Sequence, residues 1–440
     1  MTCMPLSSAG PSPASTPSAA ETPAILDLTI EAMGAAGDGV ARHAEGQVFL
    51  PLALPGEKVR ARLAGKRAEV ESWLDESPER VTPPCRHFPT CGGCVLQHWD
   101  LAPYAAWKRG RLVEALARAG FPDAPVAPLV MTPPQSRQRA DLGLERLPDG
   151  RVQIGFHQRG TTNLVPMQEC HVLRPELVAL LAPLAETLRH LEGLRRLGSA
   201  VINLLASGPD ILLRTDAPLS MPDRRLLAAF AADQHVPRVA WAGKGSGAEV
   251  AAQLGAVRHL LSGAEVVPAP GAFLQASAEG EAAIIAALLE GLPRKLPGRA
   301  AIADLYAGLG TLSIPLAARA RVTAFEAVPE AVSALATAAG KAGLRVKPVR
   351  RDLDRQPLAG PELKEFAAVV LDPPYAGAAE QTALLARAGV PSILYVSCNP
   401  VALARDAKPL QAAGYRISAA TPVDQFLWSP HLESVVAFTR

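Results

Sequence analysis

Apolar and polar positions alternate with two different periods along this chain, and the change of period divides it. Between residues 24 and 80, short apolar runs are separated by turn residues, and residues 58–63 are polar and apolar at alternating positions. A period of two is typical of a half-buried strand, and several short strands in so short a stretch predict a small β-barrel. The basic side chains on one face of residues 58–63 suit an oligonucleotide-binding barrel. An ordinary barrel with a solvated face is the alternative.

From about residue 273 the period changes, and short apolar runs alternate with helix-like stretches. This alternation predicts a Rossmann-like α/β fold, in which a doubly wound sheet of mainly parallel strands binds ligands beyond the carboxyl ends of its strands. The residues between the two patterned regions mix strand-like and helical pieces, which predicts a central α+β domain. The strands of the C-terminal sheet are expected at residues 301–305, 322–325, 345–350, 367–371 and 392–396.

The patterns together predict four segments. Residues 1–23 are rich in Ser, Pro and Ala and have neither a basic start nor an apolar run, so we expect a disordered tail on a cytoplasmic protein and no secretory signal. No apolar run is long enough to cross a membrane. The β-barrel domain then occupies residues 24–80, the central domain residues 81–265 and the α/β domain residues 266–440. Within the central domain, an amphipathic helix is predicted over residues 107–119.

Charge changes this picture only locally. The formal net charge is +2, so a nucleic-acid partner cannot be argued from the overall balance. Two local groups of basic residues are candidates for contact with phosphates, and a solvated face is the alternative interpretation of each. They are Lys58, Arg60, Arg62, Lys66 and Arg67 in the barrel, and Arg137, Arg139, Arg146, Arg151 and Arg159 in the central domain.

A glycine turn follows the first strand of the C-terminal sheet. Gly308 and Gly310 allow the backbone to approach a ligand closely and lead into a helix N-terminus. Glu326 ends the next strand, where an acid can accept hydrogen bonds from a ribose, and Asp352 follows the third, where it can face an adenine. The three-glycine fingerprint of dinucleotide sites is absent, so the pattern favours S-adenosylmethionine. Capping of the following helix is the alternative role for Glu326.

Two further motifs indicate the chemistry. Residues 372–375 read Asp-Pro-Pro-Tyr, which by itself resembles the signature of methyltransferases acting on the exocyclic amines of bases. Cys398, directly after the fifth strand, favours a different reaction. A nitrogen can attack a methyl group unaided, whereas C5 of uracil becomes nucleophilic only after a thiolate adds to C6. The methylated C5 must then lose its proton, and Glu433, at the entry to a final apolar strand, is the candidate base.

In this order, these motifs resemble those of the RNA uracil-C5-methyltransferase family, which includes enzymes for 23S ribosomal RNA and for the tRNA T-loop. Residues 54–57 resemble the TRAM domain, an OB-like barrel; residues 397–400 resemble the family's nucleophile motif and residues 431–433 its catalytic-base motif. The resemblance implies methylation of C5 of a uridine through a covalent adduct between Cys398 and C6, with 23S rRNA the first candidate substrate and tRNA the second.

The resemblance also implies roles for other residues. It places Arg137 and Arg139 on an RNA-facing strand. The sequence departs from the family pattern at Ala307, Tyr375 and Ser277, where the family usually has Cys, Arg and Asn, and these changes bear on the substrate more than on the reaction. The residues that the resemblance assigns to the cofactor or the target base are Gln275, Tyr306, Gly308, Glu326, Asp352 and Asp372.

Four of the six cysteines form a candidate metal centre. Cys85, Cys91 and Cys94 are spaced as Cys-x5-Cys-x2-Cys, and Cys170 lies downstream. The spacing alone suits structural zinc, an iron–sulfur cluster or a set of unrelated buried thiols, with zinc favoured over the cluster. The family resemblance, which includes residues 94–98, implies instead a [4Fe–4S] cluster with a structural or RNA-positioning role.

We therefore expect a monomeric enzyme that uses S-adenosylmethionine and an iron–sulfur cluster, acts on RNA and does not contact a membrane. Two other functions stay open. One is methylation of an exocyclic amine through Asp372 and Tyr375. The other is RNA binding by a protein that keeps the fold and the cluster but has lost the activity.

Overall fold

The computed structural model describes residues 24–297 and 300–440. The predicted disordered tail at residues 1–23, which contains Cys3, lies outside the described residues. The described residues form two compact units: one comprises residues up to Pro83 together with Val95–Trp107, and the other comprises Pro84–Cys94 and Lys108–Arg440. Within these residues, none of the helices has the length and apolarity needed to span a membrane. The domain limits, the monomeric state and the cytoplasmic location stay predictions.

The first unit contains the predicted β-barrel. Among its described residues, five strands close in the order β1-β2-β3-β5-β4, and apolar side chains such as Ile30, Val48 and Val59 fill the interior. The alternation in residues 58–63 reflects this arrangement, because its apolar members point inward. The strands are β1 (Ile25–Met33), β2 (Gly39–His43), β3 (Gly46–Leu50), β4 (Lys58–Ala64) and β5 (Arg67–Asp75).

The basic face of β4 differs from the prediction. Arg60 forms an ion pair with Asp27 on β1, and Arg62 forms one with Glu71 on β5. Both arginines are exposed, but each is already next to an acid on a neighbouring strand. The face is therefore a mixed surface, and its positive charge is smaller than the sequence of β4 alone indicates.

A buried carboxylate fixes the turn that follows β3. Glu57 accepts hydrogen bonds from the amides of Leu54 and Ser77, at 2.8 and 3.3 Å, and from the indole of Trp73 at 3.2 Å. The Arg80 guanidinium donates to both of its oxygens, at 2.6 and 2.7 Å. Burial acts to raise the pKa of Glu57, but the hydrogen bonds from Arg80, Leu54 and Ser77 outweigh it and hold the pKa below its usual range. Glu57, which lies in the segment that resembles the TRAM domain, thus links residues 54, 73, 77 and 80 of this unit.

The second unit contains a seven-stranded sheet in the order β13-β12-β11-β10-β7-β8-β9, counted over the described residues. Only β11 and β12 pair in parallel, and helices α2 to α4 pack on it with a leucine-rich core. This sheet confirms the predicted central α+β fold. Its elements are β7 (Arg139–Arg146), β8 (Val152–His157), β9 (Leu164–Pro166), α2 (Pro175–Ala179), α3 (Leu181–Arg189), β10 (Leu197–Leu205), β11 (Gly208–Thr215), α4 (Met221–Asp233), β12 (Arg238–Ala242) and β13 (Glu249–Gln253).

The same unit contains the predicted doubly wound sheet. Its order over the described residues is β18-β17-β16-β19-β20-β22-β21-β6, with the strands from β18 to β20 parallel and β22 antiparallel to both neighbours. The strands are β6 (Val130–Met131), β16 (Ala301–Leu305), β17 (Arg321–Glu326), β18 (Val346–Arg350), β19 (Phe366–Leu371), β20 (Ser392–Ser397), β21 (Arg416–Asp424) and β22 (Glu433–Thr439). A hairpin of β14 (His259–Leu261) and β15 (Ala264–Val266) precedes it.

Helices cover both faces of this sheet, as near-continuous apolar strands require. Along β19, Val369 and Leu371 belong to the core on one face, whereas Ala368 and Val370 belong to the core on the other. The helices are α5 (Ala278–Gly291), α6 (Ser313–Leu316), α7 (Pro329–Lys341), α8 (Ala379–Ala388) and α9 (Pro400–Ala412), with a 3-10 helix at Gly360–Glu365.

The helix predicted over residues 107–119 is longer than expected. Helix α1 extends from Leu101 to Arg118, because Asp100 supplies a carboxylate to the amide of Ala102 at its start. Its Leu112 and Leu116 lie in the core of the doubly wound sheet, although the sequence assigns them to the central segment. The amphipathic pattern identified the helix but not the sheet on which it packs.

Replacement of Glu57 by alanine should destabilise the first unit. The change leaves the Arg80 guanidinium and three further donors without their acceptor, which in a buried pair costs about 3–5 kcal/mol. We expect a matching fall in the free energy of unfolding, measured by chemical denaturation. Asp27→Ala, which removes an exposed pair with Arg60, is the control and should leave the midpoint unchanged. Equal effects of the two substitutions would contradict the role of Glu57.

Candidate active site

The parallel strands of the doubly wound sheet end at one edge, and the candidate residues follow those ends. Leu305 pairs with Phe325 on one side and with Leu371 on the other, and Leu371 pairs with Tyr395. The residues after these strands therefore emerge side by side. Ligands bind at such an edge where the strand order reverses, here between β16 and β19. The residues that follow these strand ends therefore lie at the edge where the sequence predicts the ligand site.

The glycine turn after β16 needs its glycines. Gly308 and Gly310 have φ values of 56° and 95°, a region that favours glycine. A Cβ atom on Gly310 would lie 2.3 Å from a methyl carbon of Leu335, whereas the space next to Gly308 is open. The turn therefore packs tightly against α7 at one glycine and leaves room for a ligand at the other.

Glu326 fastens this turn to the next strand. Its carboxylate accepts hydrogen bonds from the amides of Gly308 and Val328, both at 2.8 Å. Val328 is itself the N-cap residue of α7, so Glu326 reaches the start of the helix without capping it as the alternative interpretation requires. The other contact holds the acid beside the glycine turn, as a ribose-binding acid requires.

Two further predicted residues lie at the same edge. The Tyr306 hydroxyl donates to a carboxylate oxygen of Asp354 at 3.4 Å, and burial raises the pKa of Tyr306. Asp352 accepts from the amides of Asp354 and Arg355, at 3.1 and 3.3 Å, and so shapes the turn after β18. Tyr306 and Asp352 are thus connected through Asp354, which the sequence did not single out.

Asp304 lies buried beneath the turn. One of its oxygens accepts the Ser313 hydroxyl, and the other has no hydrogen-bond partner among the described residues. Burial raises the pKa of Asp304 to about 7. Asp304 stands inside an apolar strand, and this unusual position could have identified it from the sequence, although it was not among the predicted site residues.

Strand pairing brings Cys398 next to Glu433. Strands β20 and β22 are antiparallel, and Ser397 at the end of one pairs with Ser434 at the start of the other. Cys398 is the first residue after β20 and Glu433 is the first residue of β22, so the two residues lie at the paired ends of neighbouring strands. Asn399 caps α9 by accepting from the amide of Val401. The nucleophile candidate thus lies in the short connection between β20 and α9.

A chain of side-chain hydrogen bonds links two buried acids at this edge. Gln275 donates to Asp372 at 3.4 Å, Gln425 donates to the side-chain oxygen of Gln275 at 2.9 Å, and Gln425 also donates to Glu433 at 2.9 Å. Both amides are buried. The structure therefore brings the predicted residues Gln275, Asp372 and Glu433 together through Gln425, which sequence reasoning missed.

Both acids of this chain are harder to ionise than usual. Burial raises the pKa of Glu433, and the nearby Asp372 raises it further; burial also raises the pKa of Asp372. The amides of Gln425 and Gln275 act in the opposite direction by donating to the charged forms. A carboxylate with a raised pKa is a stronger base when it is ionised, which suits proton abstraction from carbon.

Two cations from α1 hold the loop that precedes Glu433. The buried Lys108 ammonium forms an ion pair with Asp424 and donates to the carbonyl of Phe426 at 3.2 Å, while the Arg111 guanidinium donates to the carbonyl of Pro430. Burial lowers the pKa of Lys108 to about 8. Burial also lowers the pKa of His431 in this loop, and nearby cations lower it further. No sequence pattern indicated these contacts.

The basic residues of the central domain have different roles. The backbone of Arg137 bridges to Ser277 beside the site, and the Arg139 guanidinium lies 5.8 Å from the ring centre of Phe273, which is 43% exposed. The Arg146 guanidinium instead donates to four backbone carbonyls near α3, among them that of Leu188. The predicted contact with phosphate therefore does not fit Arg146, and for Arg137 and Arg139 it stays a prediction.

The departures from the family pattern have local explanations. Ser277 caps α5 by accepting from the amide of Gly280, a task that Asn also performs. Tyr375 is 60% exposed; its carbonyl accepts from the Asn399 side chain, and its ring packs edge-on against His431 at 6.4 Å. Ala307 is buried below the glycine turn. Tyr375 is therefore the change that presents a new side chain to solvent.

The four candidate metal ligands lie in the second unit. Arg86 binds Glu169 and His87 accepts from the amide of Gln168, so the loop with Cys85 lies beside the segment with Cys170. None of the five described cysteines is in a disulfide. In the described residues, however, no group of three or more Cys, His, Asp or Glu side chains is arranged to hold a metal ion. The predicted centre of Cys85, Cys91, Cys94 and Cys170 is therefore not confirmed: the loops are neighbours, but among the described residues the thiols are not arranged around a single metal ion.

Comparison with known proteins identifies the family. The family model described as tRNA (Uracil-5-)-methyltransferase matches residues 271–440. The chain is 42% identical to an RNA methyltransferase of Caulobacter vibrioides, over 94% of this chain and 100% of that protein. It is 36% identical to the 23S rRNA (uracil(1939)-C(5))-methyltransferase RlmD of Chromohalobacter salexigens, over 94% of this chain and 89% of that protein.

A solved structure has the same fold. The tRNA (uracil-54, C5)-methyltransferase of Pyrococcus abyssi superposes with a TM-score of 0.69 at 23% identity, covering 94% of this chain and 100% of that one. The barrel, the central sheet and the doubly wound sheet thus occur together in a known enzyme fold. Because RlmD is matched over nearly its whole length at well above 30% identity, the chain belongs to the RNA uracil-C5-methyltransferase family.

Proposed function

We propose that this enzyme methylates C5 of a uridine in 23S rRNA, with Cys398 as the nucleophile, Glu433 as the base and S-adenosylmethionine as the methyl donor. The observation that carries the proposal is the strand pairing that makes Cys398 and Glu433 neighbours at the ligand-binding edge. A thiol beside a buried acid is needed for attack at C6 and for loss of the C5 proton. Neither group is needed by an exocyclic-amine methyltransferase, and family membership also argues against that alternative.

The residues at the sheet edge fit S-adenosylmethionine. Open space lies above Gly308, a buried oxygen of Asp304 has no partner among the described residues, and Glu326 lies beside the glycine turn. Glu326 would accept from the ribose, Asp352 would face the adenine, and Tyr306 and Gly308 would line the pocket. When bound, the cofactor supplies an electrophilic methyl group. Asp372 and Gln275 lie between this pocket and Glu433, where they would orient the uracil.

The reaction then proceeds in three steps on the RNA. The Cys398 thiolate forms a bond to C6, and the electron pair of the C5–C6 double bond moves into an enolate that makes C5 nucleophilic. The enolate electron pair forms the bond from C5 to the methyl group, and the electron pair of the broken carbon–sulfur bond would stay on the sulfur of the donor. The Glu433 carboxylate removes the C5 proton, the electron pair of that C–H bond restores the C5–C6 double bond, and the C6–S bond breaks to return the thiolate. No redox change occurs.

The relatives named RlmD support 23S rRNA as the substrate over tRNA. Two of them, at 36% and 32% identity, are each matched over 94% of this chain. The likeness to the tRNA enzyme is at 23% identity and supports the fold only. Among the departures from the family pattern, Tyr375 is exposed beside the nucleophile loop, where it would contact the target RNA.

Deletion of the gene should remove one 5-methyluridine from 23S rRNA. We expect the wild-type gene to restore it and a Cys398→Ala gene to leave it absent, as measured by nucleoside analysis and primer-extension mapping of 23S rRNA and tRNA. Loss of an N-methylated purine instead would support the exocyclic-amine alternative. Loss of 5-methyluridine from tRNA alone would contradict the rRNA assignment.

The Cys398→Ala substitution should also abolish covalent capture of RNA. With RNA containing 5-fluorouridine, the wild-type enzyme should form a complex that survives denaturing electrophoresis, because fluorine cannot leave C5 as a proton does. Cys398→Ala should form none, and its methylation of ordinary RNA should fall by about three orders of magnitude or more. Glu433→Gln is the control and should still be captured. Capture of the Cys398→Ala variant would show that another group is the nucleophile.

We also propose that Cys85, Cys91, Cys94 and Cys170 bind a [4Fe–4S] cluster. The contacts that join their loops support this, and Gly92 is required there because a Cβ atom would lie 2.7 Å from the carbonyl oxygen of His157. In a cubane each thiolate binds a different iron, so four cysteines around a cluster need not surround one ion. The cluster would brace the central sheet and takes no part in methyl transfer.

Purified enzyme should be brown under anaerobic conditions and absorb near about 400 nm, because thiolate-to-iron charge transfer occurs there. Cys91→Ser should lose this absorbance and the bound iron. Cys398→Ser is the matched control and should keep both, since Cys398 lies in the other candidate site. A colourless protein with one zinc per chain would contradict the cluster.

A further inference from the structure

Gln425 occupies a closely fitted position between the two acids of the site. Its side-chain oxygen accepts from the amide of Ala276 at 3.0 Å, and its nitrogen donates to Gln275 and to Glu433, both at 2.9 Å. Every polar atom of the side chain is therefore used. The residue is buried, although it lies in the loop between β21 and β22.

The direction of this amide is determined by its partners. The backbone amide of Ala276 can only donate, so it must face the oxygen of Gln425. The nitrogen of Gln425 must then face the side-chain oxygen of Gln275 and the carboxylate of Glu433. A flipped amide would place an oxygen against two acceptors. Gln425 is thus held as a donor to Glu433.

The surroundings fix the position of Gln425 as well as its direction. A Cβ atom on Gly280 would lie 2.7 Å from the Cβ of Gln425, so the glycine permits the close approach of α5. On the other side, the carbonyl of Asp424 accepts from the amide and the hydroxyl of Thr132, at 3.1 and 2.9 Å, and its carboxylate pairs with Lys108. The backbone at Gln425 is therefore anchored on both sides.

We propose that Gln425 is a positioning residue for the last step of the reaction, in which its amide holds the Glu433 carboxylate toward the C5 proton. The inference rests on the proposed role of Glu433 as the base. Attack by Cys398 and transfer of the methyl group precede the use of Glu433. Loss of the Gln425 amide should therefore slow the release of methylated RNA more than the formation of the adduct.

The partition between these two steps can be measured with ordinary uridine RNA. In a single turnover with labelled methyl donor, the denaturation-resistant protein–RNA complex reports adduct formation, and labelled free RNA reports release. Gln425→Met keeps the length of the side chain but removes the donor. We expect it to form the labelled adduct at a rate within about threefold of wild type. It should release RNA at least about tenfold more slowly than wild type, which is a smaller loss than removal of the general base itself would cause.

Two variants serve as references. Glu433→Gln should accumulate the same adduct with slower release than Gln425→Met. Gln381→Met is the matched control, because Gln381 is a buried amide of the same sheet domain that bonds the backbone of Leu358 away from the site. It should partition as the wild type does.

The outcomes separate the inference from the proposed function. If Glu433→Gln accumulates the adduct and Gln425→Met slows both steps equally, Gln425 has only a structural role and the inference is wrong. If Glu433→Gln accumulates none, the role of Glu433 as base is wrong.

A second variant is available if circular dichroism shows that Gln425→Met does not fold. Gly280→Ala should displace Gln425 without removing its amide. The same partition is then expected, and wild-type release from that variant would overturn the inference.

Discussion

Strands β20 and β22 pair in antiparallel register, and the chemistry of the site depends on that pairing. Ser397 opposite Ser434 places Cys398, the proposed nucleophile, and Glu433, the proposed base, at one end of two neighbouring strands. A slip of one residue would turn Glu433 to the other face of the sheet. Both strands are buried along almost their whole length, so the apolar cores on the two faces specify the register. Packing along the two strands thus determines which residues stand at their paired ends.

The site also concentrates buried charge that neutral groups stabilise. Glu433 and Asp372 lie close together, and an acid in such a place is costly unless hydrogen bonds compensate it. Gln275 and Gln425 supply those bonds without adding a cation, so the acids stay in place while their pKa values stay high. The buried Lys108 is paired with Asp424 and fixes the loop instead of neutralising the base. The loop is thus anchored by an ion pair that does not include Glu433, whose pKa stays raised as its proposed role as a base requires.

Much of the fold followed from local pattern. The strands at Ala301–Leu305 and Ser392–Ser397 agree with the apolar runs to within a residue, and the glycine turn and Glu326 lie where strand ends should bring them. Predictions based on charge were less successful. Arg60 and Arg62 form a basic face in the sequence, but Asp27 and Glu71 come next to them from other strands. Arg146 looks like a phosphate ligand and instead binds backbone carbonyls.

The sequence by itself determined the elements, the residue types at the strand ends and the family, because periodicity and motifs are properties of neighbouring residues. Only the tertiary structure decided which distant groups meet. Gln425 joins Gln275 across 150 positions, and Lys108 meets Asp424 across 316. Gln425 is an ordinary polar residue in a loop until folding buries it. Its importance arises from the direction in which its amide is forced to point, and that direction exists only once three separate segments are packed together.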